Sequence, residues 1–229
     1  MNMLLFASGN RHKAREAGAI LTPAGIGCEV KVPGDFGLDF DPVEDGETFL
    51  DNALIKARAL YRLLNERGGL DGVFGGILAD DSGLCVDALG GKPGIFSARY
   101  GDRDGRKIGA GERNALLLEE LRGVENRTAR FVCSAVLLFD ENRFVTVQET
   151  VEGEIAREEQ GKGGFGYDPV FLLPECGQTI AELPEREKHR ISHRGKAFRT
   201  LAPFLADGLA DGSAGGLCLD GKPLSAPTA

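Results

Sequence analysis

The chain opens with a strand, a Gly-Asn turn and a helix in immediate succession. The apolar run MLLFAS, from Met3 to Ser8, is typical of a buried strand, and RHKAREAGAIL after the turn has apolar residues at helical spacing. This order places the residues from Ser8 to Lys13 at the carboxyl end of a strand, the edge where open α/β sheets bind ligands. We therefore expect an α/β sheet with a candidate binding loop near its start.

The remaining pattern predicts a mixed sheet with flanking helices. CEVKVP predicts a second strand that Pro33 ends, and an amphipathic helix is predicted over residues 49–67 with Thr48 as its cap. A further helix ends at Gly123. The runs ARFVCSAVLLFD and RFVTVQETVEGEIA, joined by ENR, predict a long antiparallel hairpin, and the last helix begins at Ser192. Strand-helix units beside a long hairpin are compatible with two lobes.

Charge and composition exclude several classes of protein. The 229 residues are 42% hydrophobic, which is ample for a core, and they carry a formal net charge of -8. This charge argues against a general nucleic-acid binder, which needs a basic surface. It leaves a free nucleotide open as a ligand, because a small local basic cluster is enough for phosphates. No run approaches the ~20 apolar residues of a membrane span.

The cysteines and the first residues bear on the cellular compartment. The five cysteines are scattered and form no CxxC pair, so we expect buried free thiols rather than a disulfide framework or a zinc site. The sequence MNMLLFASGNRHK becomes polar too soon for a signal peptide. Reduced thiols and the lack of a leader favour the cytoplasm.

Three clusters could carry chemistry, and the first is SGNRHK. Its Gly-Asn turn between strand and helix offers backbone N–H groups to an anion, and Lys13 adds a positive charge one turn on. The alternative is an ordinary turn with a solvated lysine. The motif is neither a Walker loop nor a Rossmann fingerprint, so phosphate binding is a hypothesis at this point.

The second cluster is ADDSG, which follows the apolar run GIL. The adjacent carboxylates of Asp80 and Asp81 repel each other, so a buried pair needs cations or hydrogen bonds. A divalent metal supplies this well, and Glu44, Asp45 and Glu47 could complete its ligands. The alternative is a turn at the end of a strand, where Asp and Ser are common.

The third cluster joins an aromatic loop to a basic segment. FGYDP occupies residues 165–169, and EKHRISHRGKA occupies residues 187–197. Aromatic rings beside cations suit a base next to phosphates. The alternative is a solvated helix start with Ser192 as its N-cap. Taken together, the three clusters offer loops for phosphate, carboxylates for Mg²⁺ and rings for a base, which indicates a nucleoside triphosphate.

The order and spacing of the motifs mark a known family. The motifs are SGNRHK, EDGETFLDNALIKA, ADDSGLCVDALGGKPGIFSARYG, GGFGYDPVF, AEL and EKHRISHRGKA. In them the chain resembles the inosine triphosphate pyrophosphatases, also called the Ham1-like family. The resemblance implies an elongated mixed β-sheet with flanking helices, in two lobes around a central cleft. It further implies a homodimer and a single catalytic domain over residues 1–206. Residues 207–229 have no counterpart in the family, and their content of Gly, Ala, Ser and Pro predicts a flexible tail.

The resemblance also implies a reaction. It is the hydrolysis of ITP, XTP and dITP to the monophosphate and pyrophosphate, with Mg²⁺ as cofactor and Mn²⁺ as an alternative. Such an enzyme removes deaminated purines from the nucleotide pool. Its partners are free purine nucleoside triphosphates, with no nucleic acid and no membrane.

Site residues follow from the resemblance at matching positions. Asp81 matches the catalytic proton acceptor and a metal ligand, and Glu44 matches a second metal ligand, with Asp45 or Glu47 as alternatives. His193 and Arg194 match the pair beside the purine. The positions that match substrate contacts are Ser8, Gly9, Asn10, Arg11, His12, Lys13, Asn52, Lys56, Ser82, Phe165, Gly166, Tyr167, Asp168, Lys188, His193 and Arg194.

These roles give a mechanistic hypothesis. Asp81 orients or deprotonates a water that attacks the α-phosphorus, and pyrophosphate leaves. A donor from His193 or Arg194 aimed at the purine C6 oxygen accepts hypoxanthine and xanthine and rejects adenine. Phe165 or Tyr167 stacks on the ring. The rival hypothesis is a nucleotide-binding regulatory module without turnover, which has no need of adjacent acids.

Overall fold

The computed structural model describes residues 2–22, 28–67 and 74–210. The helices are α1 (Arg11–Leu21), α2 (Phe49–Glu66), α3 (Ala110–Glu120), α4 (Glu185–Ile191) and α5 (His193–Ala210). The strands are β1 (Asn2–Phe6), β2 (Cys28–Lys31), β3 (Phe74–Val86), β4 (Thr128–Leu138), β5 (Phe144–Ile155), β6 (Phe171–Leu173) and β7 (Gln178–Thr179). From residue 211 onward, the predicted tail lies outside the described residues.

Within the described ranges the strands form one mixed sheet of seven, in the order β2-β1-β3-β4-β5-β6-β7. Strand β1 pairs in parallel with β2 and with β3, whereas β6 pairs antiparallel with β5 and with β7. Parallel strands need a crossover connection, and α1 and α2 supply it here. The expectation of a mixed sheet with flanking helices is confirmed.

The predicted hairpin is formed by β4 and β5, which are neighbours in the sheet. At the turn the Phe139 N–H donates to Arg143 O, at 2.9 Å. At the open end the Ile155 N–H donates to Arg127 O, also at 2.9 Å. Residue numbers rise on one side as they fall on the other, which is the antiparallel arrangement expected from the sequence.

The chain divides into two compact units. Unit 1 comprises Met1–Asp80, Ser134–Val147 and Ala197–Ala229, and unit 2 comprises Asp81–Cys133 and Gln148–Lys196. Strands β3, β4 and β5 therefore each contribute residues to both units. The single catalytic domain over residues 1–206 stays a prediction.

Unit 1 has an apolar core between its strands and the amphipathic face of α2. Ala53, Ala57 and Leu60 are buried on that face, as the spacing predicts, and they pack with Leu5 and Ile77. Helix α2 begins at a capping box, because the Thr48 hydroxyl accepts the Asp51 N–H while the Asp51 carboxylate accepts the Thr48 N–H. In the same unit the Phe6 ring meets the Phe198 ring edge-on, at 6.1 Å between centroids.

Unit 2 has its own core, formed by α3, β3 to β6 and the loop before β6. A buried arginine, Arg127, contacts two other chain segments there, because it donates to the carbonyl oxygens of Leu121, Ile155 and Ala156 at 3.0, 2.5 and 2.7 Å. Burial lowers the pKa of the Arg127 guanidinium, which nonetheless stays charged at neutral pH. This side chain ties the end of α3 to the end of β5.

The described cysteines only partly match the expectation of buried thiols. Cys133 is buried and Cys85 is half-buried, but Cys176 is exposed, so the expectation is wrong for Cys176. All three are free thiols, as expected. Among the helices within residues 2–22, 28–67 and 74–210, none is both long enough and apolar enough to cross a membrane.

Candidate functional site

At the N-terminus of α1, nearby side chains accept the backbone N–H groups. Asn10 is the N-cap, and its Oδ1 accepts the N–H groups of His12 and Lys13 at 3.0 and 3.3 Å. Ser8 Oγ accepts the Asn10 N–H at 3.1 Å. Three backbone donors that the sequence offered to an anion are thus already bonded. Gly9, Asn10, Arg11 and His12 are exposed.

Lys13 pairs with Asp80 in unit 1. Its Nζ lies 3.1 Å from both carboxylate oxygens, and the Asp80 side chain is fully buried while that of Lys13 is 14% exposed. The sequence argument gave a divalent metal as the counter-charge of the buried acids. For Asp80 the structure supplies a lysine instead, which also fixes the direction of the ammonium group.

A second lysine-carboxylate pair lies at the start of α2, also in unit 1. Lys56 Nζ is 2.8 Å from Glu44 Oε2, with the lysine nearly buried and the glutamate one-third exposed. Asn52 is buried, and its Oδ1 accepts the Gly46 N–H at 2.9 Å. A Cβ at Gly46 would come within 2.8 Å of that oxygen, so only glycine lets the acidic loop lie this close to α2.

Asp81 and Ser82 lie in β3 at the start of unit 2. The Asp81 side chain is buried, and because successive strand residues point to opposite faces, its carboxylate faces away from that of Asp80. Ser82 Oγ accepts a hydrogen bond from Arg194 Nη2 at 2.8 Å. The structure thus brings together two residues 112 positions apart, both of them expected to contact substrate.

Asp168 holds the glycine-rich loop of unit 2 together. Its Oδ2 accepts the Phe165 N–H at 2.7 Å and the Lys188 ammonium at 2.8 Å, and both charged side chains are buried. Gly164 has a φ of +71°, and a Cβ there would lie 2.1 Å from Asp168 Oδ2. The carboxylate of FGYD therefore positions the loop backbone and a lysine, and glycine at 164 makes this possible.

The two aromatic rings of FGYD have different surroundings. The half-buried Phe165 ring has Lys188 Nζ at 4.8 Å and Arg194 Cζ at 5.8 Å from its centroid. Tyr167 instead belongs to the apolar core of unit 2, and its hydroxyl donates to Ser97 O at 2.9 Å. Burial raises the pKa of the Tyr167 phenol. Of the two candidate stacking rings, the core position of Tyr167 leaves Phe165 as the one suited to a ligand.

The basic segment that spans the end of α4 and the start of α5 is mostly buried. Lys188, His193 and Arg194 are at most 7% exposed, so the alternative of a solvated helix start is wrong for them. His193 stacks on Phe131, with ring centroids 4.9 Å apart and an interplanar angle of 14°. The N-cap part of that alternative is correct, because Ser192 Oγ accepts the Gly195 N–H at 3.1 Å.

The residues expected to hold a metal offer suitable donors without a preformed cluster. Within the described ranges, no three His, Cys, Asp or Glu side chains are grouped so as to hold a metal ion. Mg²⁺ commonly takes one or two carboxylates together with substrate phosphates and water. The buried Asp81 carboxylate and the partly exposed Glu44 carboxylate are donors of that kind. Each of these two carboxylates, taken by itself, therefore offers an oxygen donor that suits Mg²⁺.

Sequence reasoning missed two buried residues that contact the aromatic loop. Asn114 donates to Gly166 O, and Ser97 accepts from Tyr167 through its carbonyl. Ser97 stands inside a quoted motif, and Asn114 is a polar residue on the apolar face of a predicted helix. That polar residue on an apolar face was the available signal, since such groups are buried only with partners.

Comparisons of sequence and structure find proteins that are similar to this chain. The profile of the Ham1 family matches residues 4–204. A dITP/XTP pyrophosphatase of Treponema denticola is 47% identical over 202 residues, covering 88% of this chain and 97% of the relative. One from Geobacillus kaustophilus is 45% identical, covering 88% and 93%. The structure of a HAM1 protein from Coxiella burnetii superposes with a TM-score of 0.76 at 37% identity, covering 90% of this chain and 100% of that one.

Proposed function

Because this chain belongs to the Ham1 family, we propose that it hydrolyses the deaminated purine nucleotides ITP, XTP and dITP to the monophosphate and pyrophosphate. The observation that carries the proposal is the Phe165 ring flanked by the cations of Lys188 and Arg194. An aromatic face beside fixed cations suits a purine that carries phosphates. The relatives named dITP/XTP pyrophosphatase support the same substrate class.

The lysine pairs suit the triphosphate. Lys13 and Lys56 are held by Asp80 and Glu44, so their ammonium groups are oriented before any substrate binds. We propose that phosphate oxygens join these pairs as additional acceptors, since an ammonium group has three N–H donors. Preorganised charge of this kind lowers the cost of stabilising a charged transition state.

Asp81 is proposed as the proton acceptor of the reaction. The oxygen of a water molecule bonds to the α-phosphorus, the bond from that phosphorus to the bridging oxygen breaks, and pyrophosphate leaves. The proton of the water passes to the Asp81 carboxylate. Mg²⁺ or Mn²⁺, held by Asp81 with Glu44 (Asp45 and Glu47 being alternatives), would neutralise phosphate charge.

Arg194 is proposed to select the base. Its guanidinium is a planar fork of N–H donors, and one of them bonds to Ser82 Oγ. A donor directed at the purine C6 position accepts the oxygen of hypoxanthine or xanthine and leaves the amino group of adenine without an acceptor. His193, stacked on Phe131, is the second candidate donor.

The expected setting is that of an enzyme acting on free nucleotides. The net charge of -8 disfavours a nucleic-acid polymer as substrate. We propose a homodimer in the cytoplasm, in line with the family resemblance and the free thiols of the described residues.

The test is pyrophosphate release by the purified protein from ITP, XTP, dITP, GTP and ATP, with Mg²⁺ and after chelation by EDTA. We expect fast release from the first three, little from GTP and ATP, and loss of release with EDTA. Release from ATP at the same rate would contradict the base selection. No release from any of the five by folded protein would support the rival binding module.

A further inference from the structure

Helix α3 of unit 2 carries a buried polar side chain, that of Asn114. Asn114 is 2% exposed, and its Nδ2 donates to Glu159 Oε1 at 2.7 Å and to Gly166 O at 3.2 Å. Both partners are acceptors only, which fixes the orientation of the amide. Its Oδ1 is buried and has no hydrogen-bond partner among the described residues. Such a group costs free energy, so the donors of Asn114 are what the position requires.

The contact with Gly166 belongs to a series along the aromatic loop. Asp168 accepts the N–H of Phe165, Asn114 donates to the carbonyl of Gly166, and Ser97 accepts the hydroxyl of Tyr167. Three consecutive residues are thus each held by a different partner. Glycine at 166 has a φ of +64°, a conformation with which the loop turns between the two rings.

The series reaches β3 through Ser97. The Ser97 hydroxyl accepts the Leu84 N–H at 2.8 Å and donates to Gly94 O at 2.6 Å. Leu84 lies two residues after Ser82, the partner of Arg194. The loop that bears Phe165 is therefore tied both to α3 and to the strand that bears Ser82.

We propose that Asn114 is a positioning residue for the purine base. By holding the Gly166 carbonyl, it fixes the peptide between Gly166 and Tyr167. The backbone on the C-terminal side of Phe165 is held with it, and so is the direction of the Phe165 ring relative to Lys188 and Arg194. This inference rests on the proposed function. Loss of the hydrogen bond from Asn114 weakens binding of the base in the ground state and the transition state alike. KM therefore rises, whereas kcat stays largely unchanged.

The experiment compares Asn114→Leu with Arg127→Met. Leucine keeps the volume of asparagine and removes both donors. Arg127 is the matched control, because it is a buried donor in the same unit whose acceptors all lie outside residues 164–168. For Asn114→Leu we expect KM for ITP and Kd for IMP to rise about tenfold, with kcat within about twofold of the original chain. For Arg127→Met we expect lower stability with KM within about twofold.

Hydrogen exchange supplies a readout that does not depend on turnover. Peptides covering residues 161–171 should exchange faster in Asn114→Leu than in Arg127→Met. Asn114→Asp, which keeps the size but turns a carboxylate toward Glu159, should act in the same direction. If the original chain turns over ITP while Asn114→Leu and Arg127→Met show equal KM and equal exchange, positioning by Asn114 is overturned and the function stands. If the original chain does not turn over ITP, the proposed function fails, and the exchange data alone decide whether Asn114 orders the loop.

Discussion

Asp80 and Asp81 are neighbours in β3 with different surroundings. Asp80 is fully buried against the Lys13 ammonium, whereas Asp81 is the acid that the family resemblance assigns to proton transfer. Substituting each by asparagine removes one charge and keeps the shape. Comparison of the two variants therefore tests whether Asp80 stabilises the fold and whether Asp81 takes part in the reaction.

We expect Asp81→Asn to lower kcat for ITP by about 10²–10⁴-fold, because the amide cannot accept the proton of water. Its melting temperature should stay close to that of the original chain. Asp80→Asn should instead lower the free energy of unfolding by about 3 kcal/mol, since it removes the buried carboxylate charge that pairs with the mostly buried Lys13 ammonium. Steady-state kinetics and urea unfolding measure the two effects. Near-normal turnover by folded Asp81→Asn would remove Asp81 from the mechanism.

Arg194 permits a test of base selection with a matched control four residues away. Arg194→Ala should reduce the ratio of kcat/KM for ITP over ATP by about tenfold or more, because a donor to the C6 oxygen is lost. The exposed Arg190, whose partner is Glu187, should tolerate alanine with the ratio unchanged. Competing turnover of the two nucleotides measures this ratio. An unchanged ratio in Arg194→Ala would assign the selecting donor to His193 or to another group.

At the scale of elements, the aromatic loop contains two glycines that have similar φ angles but differ in the space available to a Cβ atom. Gly164 and Gly166 have φ of +71° and +64°, but a Cβ meets Asp168 only at Gly164. We expect Gly166→Ala to cost about 1 kcal/mol of unfolding free energy, which is the strain of its φ alone. Gly164→Ala should cost about 2–3 kcal/mol and raise KM for ITP, because Asp168 must move. If both variants lose the same amount of unfolding free energy, contact between a Cβ at position 164 and Asp168 does not contribute to the loss.

Elements are also the level at which the sequence is most informative. Apolar spacing predicts α2 and the hairpin of β4 and β5, because burial of one face leaves a period in the chain. The cap at Ser192 is equally local. Pairs between distant segments leave no such period. The sequence predicted Lys13 as a site residue and singled out Asp80 as one of two adjacent acids, but it did not predict that these two residues, 67 positions apart, are partners. The placement of Phe165 and Tyr167 likewise depends on a contact 70 positions away.

At the scale of the whole molecule, two phenols with raised pKa values predict how stability responds to alkali. Burial raises the pKa of Tyr167, and burial together with the hydrogen bond to Glu120 raises that of Tyr100. Above the ordinary phenol pKa of 10.0, the unfolded chain loses these protons and the folded chain keeps them. The unfolded state then binds fewer protons, so the free energy of unfolding falls as pH rises.

Urea unfolding between about pH 8 and about pH 11 measures this fall. Tyr167→Phe, which cannot ionise, should give a shallower decline above pH 10 than the original chain, although it also loses the bond to Ser97 and starts from a lower value. The variant and the original chain having the same slope would mean that Tyr167 ionises with the same ease in both states.

The two units are not completed in the order in which they begin along the chain, and this has a consequence for biosynthesis. Unit 2 is complete once residue 196 has been made, whereas unit 1 also needs residues from 197 onward. Among them is Phe198, whose ring packs on Phe6 in the first strand. A ribosome therefore releases the last part of the first unit only after the second unit has all its residues. The unit that contains β1 is therefore the unit that must wait, because Phe6 lacks its ring partner until residue 198 has been made.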